Sequence, residues 1–585
     1  MSDLGKRLEQ AWEAAQTGQA QEAETLCRQI LAIDPHHGHA QHLLGILLYH
    51  SRRSAEAEKW LQAASQAQPD FAPVHANLGL VLHSLGRIGE AEACFLKALH
   101  LDPNTPVALS GLGTIRLAQR NPAQAKILWQ ALTSLVPGDL TAIFHLGLAH
   151  QQLGELPEAR RCYLQVLGHK PDDVGSMANL GAVLQQMGRI DEAMDWYQRV
   201  LAIHPDSVNT LCNLGTLLLE KGALREAQQL FRRVLAVQPN HTEALCNLGV
   251  TLSRQEQWDQ AEQQFRQALK IKPDMPEAFS LWGAALLQQG RPEAAMAHFR
   301  SALAIRPDMV DVLANMGNAC QEMSRLDEAL TWYRQVLKWQ PGHHEALTNM
   351  GVALHKLQRL DEAAASILQA LEIRPDYPEA LISLAVVRYK QGQTDSAIAL
   401  YQRALTFKPD HPEILSNLGN AWQSVRQWDK ALSCYDQALR RRPDYPEAWS
   451  NRGNVLRRLG FLDEAIVCHR KALDLKPGFA EAHSNLGVAL MELGRYQEAL
   501  ECFAQSRRHR PEFPDAWFNE SLVRLLTGDF KQGLPGYEWR WRMAGCEAHG
   551  YRQPLWPGTP LKGEGIVIHC EQGFGDSIQF VRFCS

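Results

Sequence analysis

The chain has 585 residues, of which 45% are hydrophobic and 21% charged, with a formal net charge of −5. Such mild acidity excludes a general electrostatic pull toward nucleic acid or membrane surfaces, and no apolar run approaches the roughly 18 residues of a membrane span. The opening stretch "MSDLGKRLEQAWEAAQ" has no apolar h-region, so no secretory leader is predicted and the cytoplasm is the expected compartment.

From residue 4 onward the predicted elements repeat. Pro35, Pro69, Pro103 and their successors to Pro511 recur every 34 residues, fifteen times, without insertion or deletion. With the proline at phase 32, repeats begin at Leu4, Gly38, Ala72 and so on to Ala480, filling residues 4–513. Phase 8 is glycine in 13 repeats, phase 20 is alanine in all 15, and phase 24 is usually aromatic, as at Phe95, Tyr163, Tyr197 and Phe503. Two helices per repeat are predicted from apolar spacing in "ALCNLGVTLSRQ" and "AEQQFRQALKI". Small residues at phases 8 and 20 let the helices approach, and the aromatic fills the gap beside them. Acidic pairs such as Asp191-Glu192 open the second helix and bases such as Lys270 and Arg306 close it, as the helix dipole favours. The phase-32 proline stops it. Another proline three residues on (Pro276, Pro378, Pro412, Pro446, Pro514) suits the first turn of the next helix.

These residues resemble the tetratricopeptide repeat. The resemblance implies an all-α chain, a right-handed α-α superhelix with the first helix of each repeat lining the concave face, stabilised by stacking between neighbours. A degenerate sixteenth repeat is expected over 514–547, with Trp517 at phase 4 and Tyr537 at phase 24, and "WRWRM" (Trp539 to Met543) capping the last apolar face. Cys94, Cys162, Cys434, Cys468 and Cys502 share one phase. They read as small apolar packing residues rather than disulfide partners or metal ligands. Histidines such as His36, His37, His343 and His344 fall in inter-repeat turns without metal-ligand spacing, so neither metal nor cofactor is expected.

Phase 6 carries Asn77, Asn179, Asn213, Asn247, Asn315, Asn349, Asn417, Asn451, Asn485 and Asn519. Asparagine is a mediocre helix residue, because its amide competes with the backbone. One reading is a ladder of amides that hydrogen-bonds the peptide groups of an extended chain. It resembles the asparagine ladder of eukaryotic O-linked N-acetylglucosamine transferases. The other reading is that each amide satisfies the backbone of a neighbouring repeat, or that the phase drifted within a duplicated array. Phase 13 is mixed in charge, so no charge-coded ligand is expected, and runs such as "RRHR" (Arg507 to Arg510) read as solvated helix ends.

After Met543 the pattern breaks. Residues 548–562 read as a Pro/Gly-rich linker. In 563–585, "GIVIHC", "EQGFGD" and "SIQFVRF" read as strand, glycine turn and helix, an incomplete α/β segment. The turn lacks the GK[ST] ending of a P-loop, and Ile578 stands where a dinucleotide fingerprint wants a third glycine. "YEWRWR" followed by this segment resembles bacterial proteins that fuse tetratricopeptide repeats to a heptosyltransferase-like glycosyltransferase of GT-B architecture. The resemblance implies that Asp576 would be the acceptor's general base. It also implies that the segment is the truncated start of a domain, without a nucleotide-sugar site and inactive as it stands. The leading expectation is thus a scaffold that binds a protein or peptide partner, with no nucleic-acid partner. The second is a glycosyltransferase completed by sequence missing from this chain. A third is self-assembly through end repeats, the oligomeric state being left open.

Overall fold

The structure is a computed structural model and describes residues 3–543. Among these residues it holds thirty-two α-helices and one short 3-10 helix, with no strand. Each of the first fifteen repeats is a helical hairpin, as in Ala72–Ser84 followed by Ile88–Leu101. The chain divides into two compact bodies, one up to Met323 and one from Ser324 onward. Each is a stack of such hairpins.

The helices stop where the local chemistry says they must. Second helices end two residues before the phase-32 proline, as at Leu101 before Pro103, where Asp102 N–H still reaches the Ala98 carbonyl at 2.8 Å. Pro276, Pro378, Pro412, Pro446 and Pro514 stand in the first turn of the next helix, where a missing N–H leaves no bond unmade. Between the two helices of a repeat, phase 15 takes positive φ in every repeat. Glycine fills it at ten positions, such as Gly86 at φ 79°, but Arg52, Arg120, Glu256, Ser324, Gln358 and Arg426 adopt the same conformation. Arg87 N–H bonds the Leu82 carbonyl and Gly86 N–H the His83 carbonyl, both at 3.0 Å. This pair is the Schellman closure of a helix C-terminus.

The predicted packing logic holds. A Cβ on Gly181, Gly215 or Gly487 would lie 2.6, 2.8 or 2.7 Å from the ring of Tyr197, Phe231 or Phe503 respectively. Phase 8 is therefore glycine because the phase-24 ring occupies that space. In the first repeat, where phase 8 is Ala11, phase 24 is the smaller Cys27. The phase-20 alanines are buried throughout.

The sixteenth repeat is shortened. Its first helix spans Pro514–Leu526, its second only Phe530–Tyr537, and Glu538–Arg542 forms the 3-10 turn. Trp539 of "WRWRM" stacks on Trp517 at 5.2 Å, so this segment folds back onto the first helix of the repeat. Phe530 and Leu534 on the second helix stay exposed. The expected linker at 548–562 and the α/β segment at 563–585 lie outside the described residues. Among the described residues no helix is long and apolar enough to cross a membrane.

Candidate functional site

On a first helix, phases 2, 6, 9 and 13 are spaced by four, three and four residues and fall on one stripe. In repeat 13 the stripe reads Glu413, Asn417, Asn420, Ser424, and in repeat 14 Glu447, Asn451, Asn454, Arg458. All ten phase-6 asparagines lie on this stripe and all ten are half-buried.

Several of these amides are held by the preceding repeat. Asn77 Nδ2 lies 2.8 Å from His42 Nε2. Asn247 Nδ2 donates to Thr216 Oγ1 at 3.3 Å, Asn451 Nδ2 to Asn420 Oδ1 at 2.9 Å, and Asn485 Nδ2 to Ser450 Oγ at 3.4 Å. Asn213 Nδ2 donates to the hydroxyl of Tyr197 at 3.4 Å, and Asn179 hydrogen-bonds the Tyr163 hydroxyl in the same manner. The partners are side chains of the neighbouring repeat. The expected backbone partners are not the ones these amides use.

The tyrosines extend this network back into their own repeat. Tyr163 Oη donates to Gln151 Oε1 at 2.9 Å, Tyr197 Oη to Gln185 Oε1 at 3.2 Å, and Tyr435 Oη lies 3.0 Å from Gln423 Oε1 and 2.6 Å from Asn420 Oδ1. Burial pushes the Tyr197 phenol up to about 12, so the hydroxyl keeps its proton and stays a donor. Sequence reasoning missed this arrangement, although a signal existed. Gln151, Gln185, Gln321 and Gln423 are the glutamines at phase 12, and each shares its repeat with a tyrosine at phase 24. Repeats with phenylalanine at phase 24 carry no glutamine there.

The acidic end of the stripe is clasped. Glu277, Glu379, Glu447 and Glu481 at phase 2 pair with Arg306, Lys408, Lys476 and Arg510 at phase 31 of the same repeat, at 2.9, 2.6, 3.0 and 2.6 Å. Glu413 pairs with Arg442 in the same way. The base also sits over the aromatic that precedes the next first helix, with Arg442 3.8 Å from the Tyr445 ring centre and Lys476 4.7 Å from that of Phe479.

Repeat 14 departs from the rest. Arg452 replaces the usual leucine between Asn451 and Gly453, and its guanidinium lies 2.8 Å from Asp436 Oδ1 and 3.0 Å from Cys468 Sγ. His469 takes the phase-24 aromatic niche and is fully buried, with no partner for either ring nitrogen. Desolvation, aided by the charge of Arg457, presses its pKa down to about 3, so the ring is neutral.

The cysteines at the shared phase are free thiols, buried at Cys434 and Cys468 and half-buried at Cys94, Cys162 and Cys502. Burial pushes the Cys434 and Cys502 thiols up to about 11, which suits packing rather than reactivity. The turn histidines His37 and His343 act as helix N-caps, accepting from Ala40 N–H at 3.3 Å and Ala346 N–H at 3.1 Å. Among the described residues, no group of three or more His, Cys, Asp or Glu is placed to hold a metal ion. Asp576 lies outside the described residues.

Family profiles described as tetratricopeptide repeat or TPR repeat match residues 14–81, 72–105, 144–165, 173–240, 212–276, 246–310, 286–348, 353–392, 386–424, 427–460, 453–494 and 480–513. Together they span well over half of the chain. No curated protein matches the sequence. Among solved structures, the APC/C hetero-tetramer Cut9–Hcn1 is similar at 14% identity, covering 84% of this chain and 97% of that one, with a TM-score of 0.43. The Naa15/Naa10 complex bound to HypK-THB is similar at 14% identity, covering 92% and 99%, with a TM-score of 0.35.

Proposed function

The chain belongs to the tetratricopeptide-repeat family, and from that premise we propose that it is a protein-interaction scaffold whose first-helix stripe binds an extended polypeptide. The observation that carries this reading is the set of half-buried phase-6 amides, six of them oriented by the preceding repeat. A primary amide has two N–H donors and a carbonyl with two lone pairs. A bond from one N–H to the neighbouring repeat fixes the side chain, while the carbonyl and second N–H remain for a ligand's peptide groups. Ordering the amide in advance lowers the entropy lost on binding. Within the second body, first helices of successive repeats pack against each other, so their amides stand about 10 Å apart, close to three residues of extended chain at about 3.3 Å each. The amides thus hold the ligand by its backbone. The same reading places the chain in the cytoplasm, in keeping with nine free cysteines among the described residues.

The test takes a peptide selected from a random-sequence library against the full chain and measures its affinity by fluorescence anisotropy. Replacing Asn417, Asn451 and Asn485 together by alanine should weaken binding at least tenfold, about 1.4 kcal/mol, with the helical fold retained. Unchanged affinity with lowered stability would assign the asparagines to inter-repeat bonding alone. A second reading, glycosyl transfer with Asp576 as general base in a domain completed by further sequence, is supported by the "GFGD" sequence. Under it, nucleotide-sugar turnover would appear only when that further sequence is present, and would vanish in Asp576→Asn.

A further inference from the structure

The far end of the stripe points to the side-chain chemistry of the ligand. Phase 13 of repeats 11, 12 and 14 is Lys356, Lys390 and Arg458, all exposed. None of the three is held in an ion pair. Arg457, beside Arg458, is by contrast tied to Glu492 at 2.5 Å. At the opposite end of the same stripes, Glu379 and Glu447 are neutralised by Lys408 and Lys476. The phase-2 acids of repeats 12 to 14 are therefore consumed within the repeat, and only Glu345 of repeat 11 stands exposed against the three bases, so the excess charge along the section is positive. Burial first, then the charges of Lys390 and Lys356, hold the neighbouring His355 below its ordinary pKa. A base near a helix C-terminus interacts favourably with the dipole. That alone does not account for the section, because the same phase is glutamine in Gln186 and Gln288 and glutamate in Glu220 and Glu492.

We infer that repeats 11 to 14 select an acidic polypeptide segment, whose carboxylates pair with Lys356, Lys390 and Arg458 while the asparagines hold its backbone. The inference rests on the stripe being a polypeptide site. On one helix, phase 6 and phase 13 lie about 10 Å apart along the axis at 1.5 Å per residue, within reach of a glutamate and a lysine extended toward each other. Neighbouring first helices about 10 Å apart match about three extended residues per repeat. Lys356 and Lys390 would thus meet acids three residues apart. Ser424 interrupts the row in repeat 13, so the third acid, for Arg458, falls six residues further on.

The experiment uses the full chain and three fluorescein-labelled twelve-residue peptides, identical except for Glu, Gln or Lys at every third position. At low salt the Glu peptide should bind about tenfold or more tightly than the Gln peptide, the sum of three exposed ion pairs. The Lys peptide should bind most weakly. Raising the salt should close the gap between Glu and Gln. So should Lys356→Gln, Lys390→Gln and Arg458→Gln combined, which touch only exposed side chains and leave the helical circular dichroism unchanged. If Glu and Gln peptides bind alike, and both weaken in the asparagine triple variant, the acidic selection is wrong and the scaffold reading stands. If none of the three binds, both fall. A labelled oligothymidylate that binds more tightly than the Glu peptide would overturn the inference in favour of a nucleic-acid site.

Discussion

At the residue scale, His469 shows how a single substitution of a repeat consensus leaves a thermodynamic mark. A Cβ at Gly453 would lie 2.7 Å from the His469 ring, the same separation as Gly487 from the Phe503 ring in the next repeat. The niche is thus that of a phenylalanine, filled by a ring whose two nitrogens find no partner. A buried polar group without a partner costs about 1–3 kcal/mol, so His469→Phe should stabilise repeat 14 by about that much near pH 8. The folded pKa is depressed to about 3, against about 6.5 in the unfolded chain. The unfolded state therefore takes up a proton first, and stability is lost as pH falls from about 6.5 toward 3. The advantage of His469→Phe should widen over that window. Local opening free energies from amide exchange in repeat 14 would show it, and a gap independent of pH would contradict the assignment.

At the scale of the element, the hairpin was legible because its boundaries follow from covalent constraint. Proline at phase 32 cannot continue a helix, and the structure ends every second helix of the first fifteen repeats before it. Gly181 and Gly487 were legible as close-approach positions because a large ring recurs sixteen residues later. The left-handed turn at phase 15 was harder to see, since Arg52, Gln358, Arg426 and three other non-glycine residues occupy it. Its conformation is imposed by helix closure rather than by residue type. A side chain in that region costs about 1–2 kcal/mol relative to glycine, partly offset by glycine's greater entropy in the unfolded chain. Arg426→Gly should accordingly slow amide exchange in its hairpin, whereas Gly392→Ala, at φ 78°, should speed it. Effects of the same sign would show that the closure does not set the energy. The Tyr–Gln–Asn network was not legible from either helix alone. It needs phases 12 and 24 of one repeat and phase 6 of the next brought together, which is a property of the stack.

At the scale of the whole molecule, repetition does two things at once. It builds stability from neighbour contacts of one kind, so that no repeat stands alone, and it puts the same amide on the first-helix stripe of each body, from Asn77 to Asn315 in one and from Asn349 to Asn519 in the other. The ten asparagines were found from the sequence because identical phase is visible without a structure. Their inter-repeat bonds were not, because an amide's orientation depends on which neighbour offers an acceptor. Those bonds permit either a purely structural role or a binding role, and the two differ in where a ligand sits. The measurement that separates them most directly is photo-crosslinking of a bound peptide from p-benzoylphenylalanine placed at Val386, on the first-helix stripe, or at Leu368, exposed on a second helix. The account predicts crosslinks from position 386 and none from 368. Capture from 368 alone would place the ligand on the second helices and contradict it.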